Sequence, residues 1–210
     1  MGTIPGKQLY SVRESYGILY NGLRTIRYLF RARRKNELRP EFIERIMLAV
    51  TEVNDCAVCS YGHSKMALEA GMSSEEIRDL LAGVMDGVPA DEVPAVLFAQ
   101  HYADSRGSLS KESWERIVEL YGLSRARGIL GAVRMIMVGN TYGIPWGSFV
   151  NRFRGKPDPR STVSYEASMM ITCVPFLPVA LVHAMVSELS GVPVIQFGTN
   201  QPVPAAGKIG

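Results

Sequence analysis

The stretch "ERIMLAVTEVNDCAVCSYGHSKMALEA", residues 44–70, decides the fold of this chain. In its first half the apolar side chains recur at intervals of three and four, which predicts an amphipathic helix. Asn54 and Asp55 interrupt the pattern, and both residue types can cap a following helix. That second helix should end at Gly71, because glycine is typical of helix C-termini. The sequence therefore predicts two helices joined by a tight turn.

Helical spacing continues over most of the chain, in the stretches 16–35, 73–85, 91–105, 110–122 and 124–140. Strand signals are poor, and the best candidate, "VPVIQF" at 192–197, is short and isolated. The Pro-, Gly- and charge-rich stretch "GKPDPRST" at 155–162 predicts a loop. We therefore predict an all-α helical bundle, with a helical domain at 1–154 that includes an N-terminal basic helix. Residues 155–210 form a separate segment of unknown role, packed on the body or at a subunit interface.

Composition predicts a globular protein, since 47% of the 210 residues are apolar and 20% are charged. The formal charge of +3 and the lack of an aromatic-interleaved basic motif argue against a nucleic-acid partner. The start, "MGTIPGKQLY", has no apolar signal region. Three cysteines, an odd number that includes one C-x-x-C pair, favour redox or metal chemistry in a reducing compartment. We expect a cytoplasmic protein.

The uncharged segment 168–187 is almost long enough to cross a bilayer. However, Pro175 and Pro178 interrupt it, His183 lies within it, and no basic cluster lies close beside it. We therefore predict a buried or subunit-facing helix, and no membrane association.

The C-x-x-C pair is followed by a histidine at helical spacing. If 56–70 is helical, Cys56, Cys59 and His63 fall within an arc of roughly 60° at ~100° per residue. A cysteine in the first turn of a helix is in an environment that favours the thiolate, and an imidazole one turn away can accept its proton. A thiolate beside a second thiol can attack an oxidant and then form an intramolecular disulfide.

The preceding helix supplies one acid that differs from its neighbours. Glu41, Arg45 and Glu52 cluster on its polar side, whereas Glu44 lies between Met47 and the adjacent leucine, at the edge of the apolar face. Partial desolvation there should raise the proton affinity of this carboxylate, so that it could serve as a base. The alternative, which the helical wheel does not exclude, is that Glu44 only pairs with a neighbouring arginine.

A glutamate twelve residues before C-x-x-C, with a histidine four residues after it, resembles the alkylhydroperoxidase D-like branch of the carboxymuconolactone decarboxylase family. The likeness extends more loosely over residues 38–150. The resemblance implies Cys59 as the peroxide-attacking thiol, Cys56 as the resolving thiol, and Glu44 and His63 as a proton relay. It departs from the best-known members at Val58, where they have a second histidine.

The resemblance also implies a thiol-dependent peroxidase that acts on alkyl hydroperoxides and needs no metal or organic cofactor. An external dithiol, for which the family suggests a lipoyl-type adaptor, would reset the pair. Assembly as a homo-oligomer, a trimer or larger, is implied too, and segment 168–187 offers a surface that assembly could bury.

Three alternatives stay open. A zinc site could use both cysteines and His63, with Cys173, His101 or His183 as the fourth ligand. Decarboxylases of the wider family share the fold, act on a lactone by acid–base chemistry, and lack the cysteine pair. A non-catalytic oligomeric protein could carry the cysteines as small core residues. His101 and His183, in apolar helical stretches, are predicted to be hydrogen-bonded core histidines.

Overall fold

The computed structural model describes residues 8–197. In that part of the chain all regular structure is helical, which confirms the predicted all-α fold. The helices are α1 (Val12–Arg34), α2 (Pro40–Asn54), α3 (Ala57–Glu69), α4 (Ser74–Leu81), α5 (Val93–Asp104), α6 (Lys111–Arg152) and α7 (Val163–Leu189).

Helix α2 lies at the centre of the bundle. Residues 42–51 are all buried, and α3, α4, α5 and α6 pack against the helix. Such burial includes polar residues, which then require partners inside the protein. Arg45, predicted on the polar side, is buried and donates to Glu76 at 2.5 Å and to Glu92 at 2.7 Å. Glu44, also on this helix, is 5% exposed.

Helix α6 is the longest element and contains one break. Gly122 has φ 72° and ψ 155°, so the helix predicted for 110–122 ends where its glycine indicated. The segment after the break continues past the predicted end at 140, through Pro145 to Arg152. Helix α1 packs along this second segment.

The loop between α6 and α7 is bound tightly to both helices. Glu166, fully buried in the first turn of α7, accepts hydrogen bonds from Ser148, Arg152 and Ser161. Burial alone would raise the pKa of this carboxyl, but the hydrogen bonds outweigh burial and lower it. The start of the C-terminal segment is therefore fixed to the helical body.

Helix α7 was predicted to be buried or subunit-facing, and the first of these two settings is wrong within the single chain. It packs on α1 and α6 through one stripe that includes Met169, Ala180 and Ala184, and its opposite face is exposed. Among the described helices it is the one that is long and apolar enough to span a membrane, with a mean hydropathy of 2.0. Only 17% of that apolar window is buried within the chain. The burial expected from its composition is therefore missing from the single chain.

The weak strand candidate at 192–197 does not form a strand. These residues are irregular, and the carbonyl oxygens of the first three accept hydrogen bonds from side chains. Arg24 of α1 donates to the carbonyls of Val192 and Pro193, and Arg134 of α6 donates to that of Val194. We refer to residues 192–194 as the C-terminal strap.

Candidate functional site

The turn between α2 and α3 places the cysteine pair. Asp55 adopts the left-handed conformation, with φ 55° and ψ 55°, and ends α2. Cys56 is the N-cap of α3, and its sulfur accepts a hydrogen bond from the Cys59 amide at 3.4 Å. The expectation that Asn54 and Asp55 cap α3 is therefore wrong, because a sulfur atom does so. Cys56 consequently precedes the first helical turn instead of lying within it.

Cys56 and Cys59 are joined as a disulfide, with their Cα atoms 5.3 Å apart. Cys56 is completely buried, whereas Cys59 retains 9% exposure. Gly143 of α6 faces the pair, and a Cβ atom there would lie 2.8 Å from the Cys59 sulfur and 3.0 Å from the Cys56 sulfur. A glycine at this position is thus what allows α6 to pack directly against the disulfide.

His63 and Glu44 form a pair on the side of α3 that faces α2. The Nδ1 atom of His63 lies 2.8 Å from a carboxylate oxygen of Glu44. Their side chains are 19% and 6% exposed, so solvent screens this interaction little. Because Nδ1 is engaged with the carboxylate, Nε2 is the ring nitrogen that remains for another partner. Cys59 lies four residues before His63 on the same helix.

A cavity of about 490 Å³ lies beside the disulfide. Its inner wall is formed by the start of α3, at Ala57 and Val58, and by Gly143 and Ile144 of α6. Its outer wall is the 156–160 loop. This volume is within the range of small-molecule sites, and the cavity is lined by Gly143, the residue of α6 that packs against the disulfide.

The sequence did not predict that the loop and α6 contribute to this site. Arg160 forms hydrogen bonds with Asp158, the shortest at 2.6 Å, and with the main-chain oxygen of Asp55 at 3.2 Å. Asp55 immediately precedes Cys56, so the loop is tied to the cysteine turn. The hydrogen bonds from Arg160 hold the pKa of Asp158 below its usual value. The Pro-Asp-Pro-Arg run was recognisable as a loop, but its partner could not be read from the chain.

The other histidines and the third cysteine lie away from this site. His101 is exposed, and His183 is exposed with its Nδ1 3.0 Å from the Tyr16 hydroxyl, so the prediction of two core histidines is wrong. Cys173 is free and half-buried, and burial raises its pKa. Across residues 8–197, no group of three or more His, Cys, Asp or Glu side chains is placed to hold a metal ion. The ligands considered for a zinc site are therefore not brought together.

Comparison of the sequence with known protein families gave one match. Residues 23–104 match the carboxymuconolactone decarboxylase family. The matched region contains Glu44, Cys56, Cys59 and His63, and so covers the whole constellation that the sequence singled out. Searches of curated proteins and of solved structures found no match. The match to the decarboxylase family ends before α6. The cavity residues that α6 and the 156–160 loop supply therefore lie outside the matched region.

Proposed function

We propose that the chain is a carboxymuconolactone decarboxylase family member of the alkylhydroperoxidase D-like branch, acting as a thiol-dependent peroxidase. The observation that carries the proposal is the Cys56–Cys59 disulfide at the start of α3, one turn from the His63–Glu44 pair. A dithiol that closes to a disulfide next to an acid–base pair is the machinery that two-electron reduction of a peroxide requires.

The oxidative half-reaction begins at Cys59. In the reduced protein His63 accepts the Cys59 proton, with Glu44 stabilising the imidazolium that forms. The thiolate attacks the terminal oxygen of a hydroperoxide, the O–O bond breaks, and the departing alkoxide takes a proton from His63 to leave as an alcohol. Cys59 is now a sulfenic acid. Cys56 attacks its sulfur, water leaves, and the disulfide closes. The cavity beside Gly143 has room for the organic group of the substrate.

The reductive half-reaction also fits the difference in burial between the two sulfurs. Cys59 retains exposure, so an external dithiol attacks there and forms a mixed disulfide. Cys56 is then the leaving thiolate, and the Cys59 amide and the N-terminus of α3 stabilise its charge. The second thiol of the reductant attacks the mixed disulfide, so the reductant leaves oxidised and Cys59 is restored. We propose a lipoyl-type or similar small dithiol, and a cytoplasmic location in which such reductants persist.

Peroxide consumption by cysteine variants tests the mechanism. The reduced protein should consume an organic hydroperoxide in the presence of a dithiol, and Cys59→Ser should abolish turnover. Cys56→Ser should still react once and stop at a sulfenic acid or mixed disulfide, detectable by mass spectrometry. Cys173→Ser is the matched control and should retain activity, because this cysteine is free and lies on α7. Wild-type turnover no faster than that of Cys59→Ser would refute the peroxidase proposal.

The second candidate function is the thiol-independent chemistry of family decarboxylases. The His63–Glu44 pair is an acid–base pair whether or not the cysteines react, and this observation keeps the candidate open. Activity on a lactone acid that survives Cys59→Ser but is lost in His63→Ala would favour it. Loss in both variants, together with peroxide turnover by the wild type, would favour the peroxidase.

We also propose that α7 binds a second copy of the chain. The outer face of α7 carries apolar side chains that are each more than half exposed: Ile171, Val174, Val182, Met185 and Leu189. Contiguous exposed apolar faces mark interaction sites, and a standard interface takes ~800 Å² from each partner.

Sedimentation of variants tests this interface. Val182→Glu should convert oligomers to monomers, because it places an unpaired charge in the apolar contact. Lys65→Glu is the control, since Lys65 is exposed on α3. A wild-type chain that sediments as a monomer would exclude the self-association, and co-flotation of that monomer with anionic lipid vesicles would assign the face to a membrane surface.

A further inference from the structure

Two arginines beneath the C-terminal strap are buried without a close carboxylate. Arg24 and Arg134 are each 4% exposed. The nearest ion-pair contact of Arg24 is to Glu188 at 3.8 Å, and Glu188 is already bound to Arg27 at 2.7 Å. Arg134 forms no ion pair with any residue between 8 and 197. Buried cations are normally paired, so both positions need an explanation.

The hydrogen-bond partners of both arginines are neutral oxygens. Arg134 donates to the Tyr102 hydroxyl at 3.0 Å and to the carbonyl of Val194 at 3.2 Å. Arg24 donates to strap carbonyls, and its Nε atom is buried with no partner in the described part of the chain. Carbonyl oxygens offset only part of the cost of desolvating a guanidinium. Within residues 8–197, the positive charge of Arg134 is therefore not balanced by a carboxylate, and that of Arg24 is balanced only by the contact with Glu188 at 3.8 Å.

A small cavity adjoins Arg134. Its volume is about 160 Å³, and α1, α5 and α6 supply its lining. The charged groups that line it are Glu14, Arg106 and Arg134. Glu14 is committed to Arg106, whose Nε lies 2.8 Å from its carboxylate, so the charge of Arg134 is left over. Asn21 and Tyr102 add polar groups to the same wall.

We propose that this cavity binds a small oxyanion, a compact molecule carrying a carboxylate or phosphate group, with Arg134 as its buried cation and Arg106 at its edge. A guanidinium presents a planar fork of donors that matches both groups. The volume admits a group of a few heavy atoms, since a water molecule occupies ~30 Å³ in the liquid. The site is separate from the disulfide and does not depend on the proposed peroxidase chemistry.

Isothermal titration calorimetry with inorganic phosphate and, separately, acetate tests the site, with ionic strength held constant by sodium chloride. The wild type should bind one anion per chain, and the relative affinities of the two anions identify the preferred group. Arg134→Gln should abolish this binding. Arg127→Gln is the matched control, because Arg127 is an exposed arginine on the same helix, and it should bind as the wild type does.

A second variant, Glu14→Gln, tests the site even if Arg134→Gln fails to fold. Glutamine retains the capping interaction that Glu14 makes at the start of α1. The substitution removes a negative charge from the cavity and releases Arg106, so anion affinity should rise by ~5-fold or more. Absence of saturable binding with both anions, or equal affinities for the wild type, Arg134→Gln and Glu14→Gln, would overturn the proposal and leave the two arginines as tethers of the strap alone.

Discussion

Replacement of Glu44 by glutamine isolates the charge of the His63–Glu44 pair. The amide is nearly isosteric, and its oxygen can still accept a hydrogen bond from Nδ1 at the observed 2.8 Å. Hydrogen bonds to charged groups contribute ~1.5–3 kcal/mol and neutral ones ~0.5–1.5 kcal/mol, so the imidazolium loses about 1–1.5 kcal/mol of stabilisation. Since 1.36 kcal/mol corresponds to one pH unit, formation of the Cys59 thiolate should require a pH about one unit higher.

The assay is the rate of iodoacetamide alkylation of reduced Cys59 as a function of pH, read by peptide mass spectrometry. The profile of Glu44→Gln should move to higher pH by about one unit, and that of His63→Ala should move in the same direction by at least as much. Glu52→Gln, on the same helix, is the control and should leave the profile unchanged. If the Glu44→Gln profile coincides with that of the wild type, or if Glu52→Gln moves it equally, Glu44 does not act through His63.

Two further predictions concern the packing around the disulfide and the loop beside it. Gly143→Ala places a methyl group 2.8 Å from the Cys59 sulfur and should disfavour the disulfide, at a cost of ~1–3 kcal/mol. The control is Gly139→Ala, whose new methyl group would have no atom closer than 3.6 Å. In glutathione redox buffers the fraction of Gly143→Ala protein in the disulfide form should be smaller than that of Gly139→Ala. Because Arg160 lowers the pKa of Asp158, this carboxylate stabilises the fold above its ordinary value of 3.8, and the contribution is lost as pH falls through the lowered value. Thermal unfolding should therefore find Asp158→Asn less stable than the wild type near pH 6, by an amount that shrinks as the pH falls below 3.8. A difference that does not shrink with falling pH would refute the ion-pair account.

The local sequence was sufficient to predict the all-α fold and to single out the four residues proposed for the site. Helical periodicity and the spacing of Glu44, Cys56, Cys59 and His63 are short-range features. The structure brings Cys56 to Cys59 within one turn of chain, and it brings Glu44 of α2 to His63 of α3 through the packing of the two helices. The catalytic roles of these residues stay a proposal. The cap of α3 was assigned to the wrong residues because preference scales favour Asn and Asp, whereas the turn placed a sulfur atom at the amide.

Long-range pairing was beyond the reach of the sequence. Arg160 reaches Asp55 across 105 residues, and Arg134 reaches the strap across 60. No period or motif encodes either contact, because each depends on how complete helices pack. Burial of α7 within the chain, one of the two settings predicted for it, was wrong for a different reason. The apolar composition of α7 favours burial of the whole helix. Within the single chain, however, only the stripe that faces α1 and α6 has a neighbour to pack against.

The atom that caps α3 is also an atom that changes oxidation state. In the disulfide form the Cys59 amide donates to a neutral sulfur, and in the reduced form the same amide would face a thiol or a thiolate. The amide resonance of Cys59 is therefore a built-in reporter of oxidation state, one that nuclear magnetic resonance can follow without any added label. Each cycle of oxidation and reduction would then be visible as a change in the hydrogen bond that caps the first turn of α3.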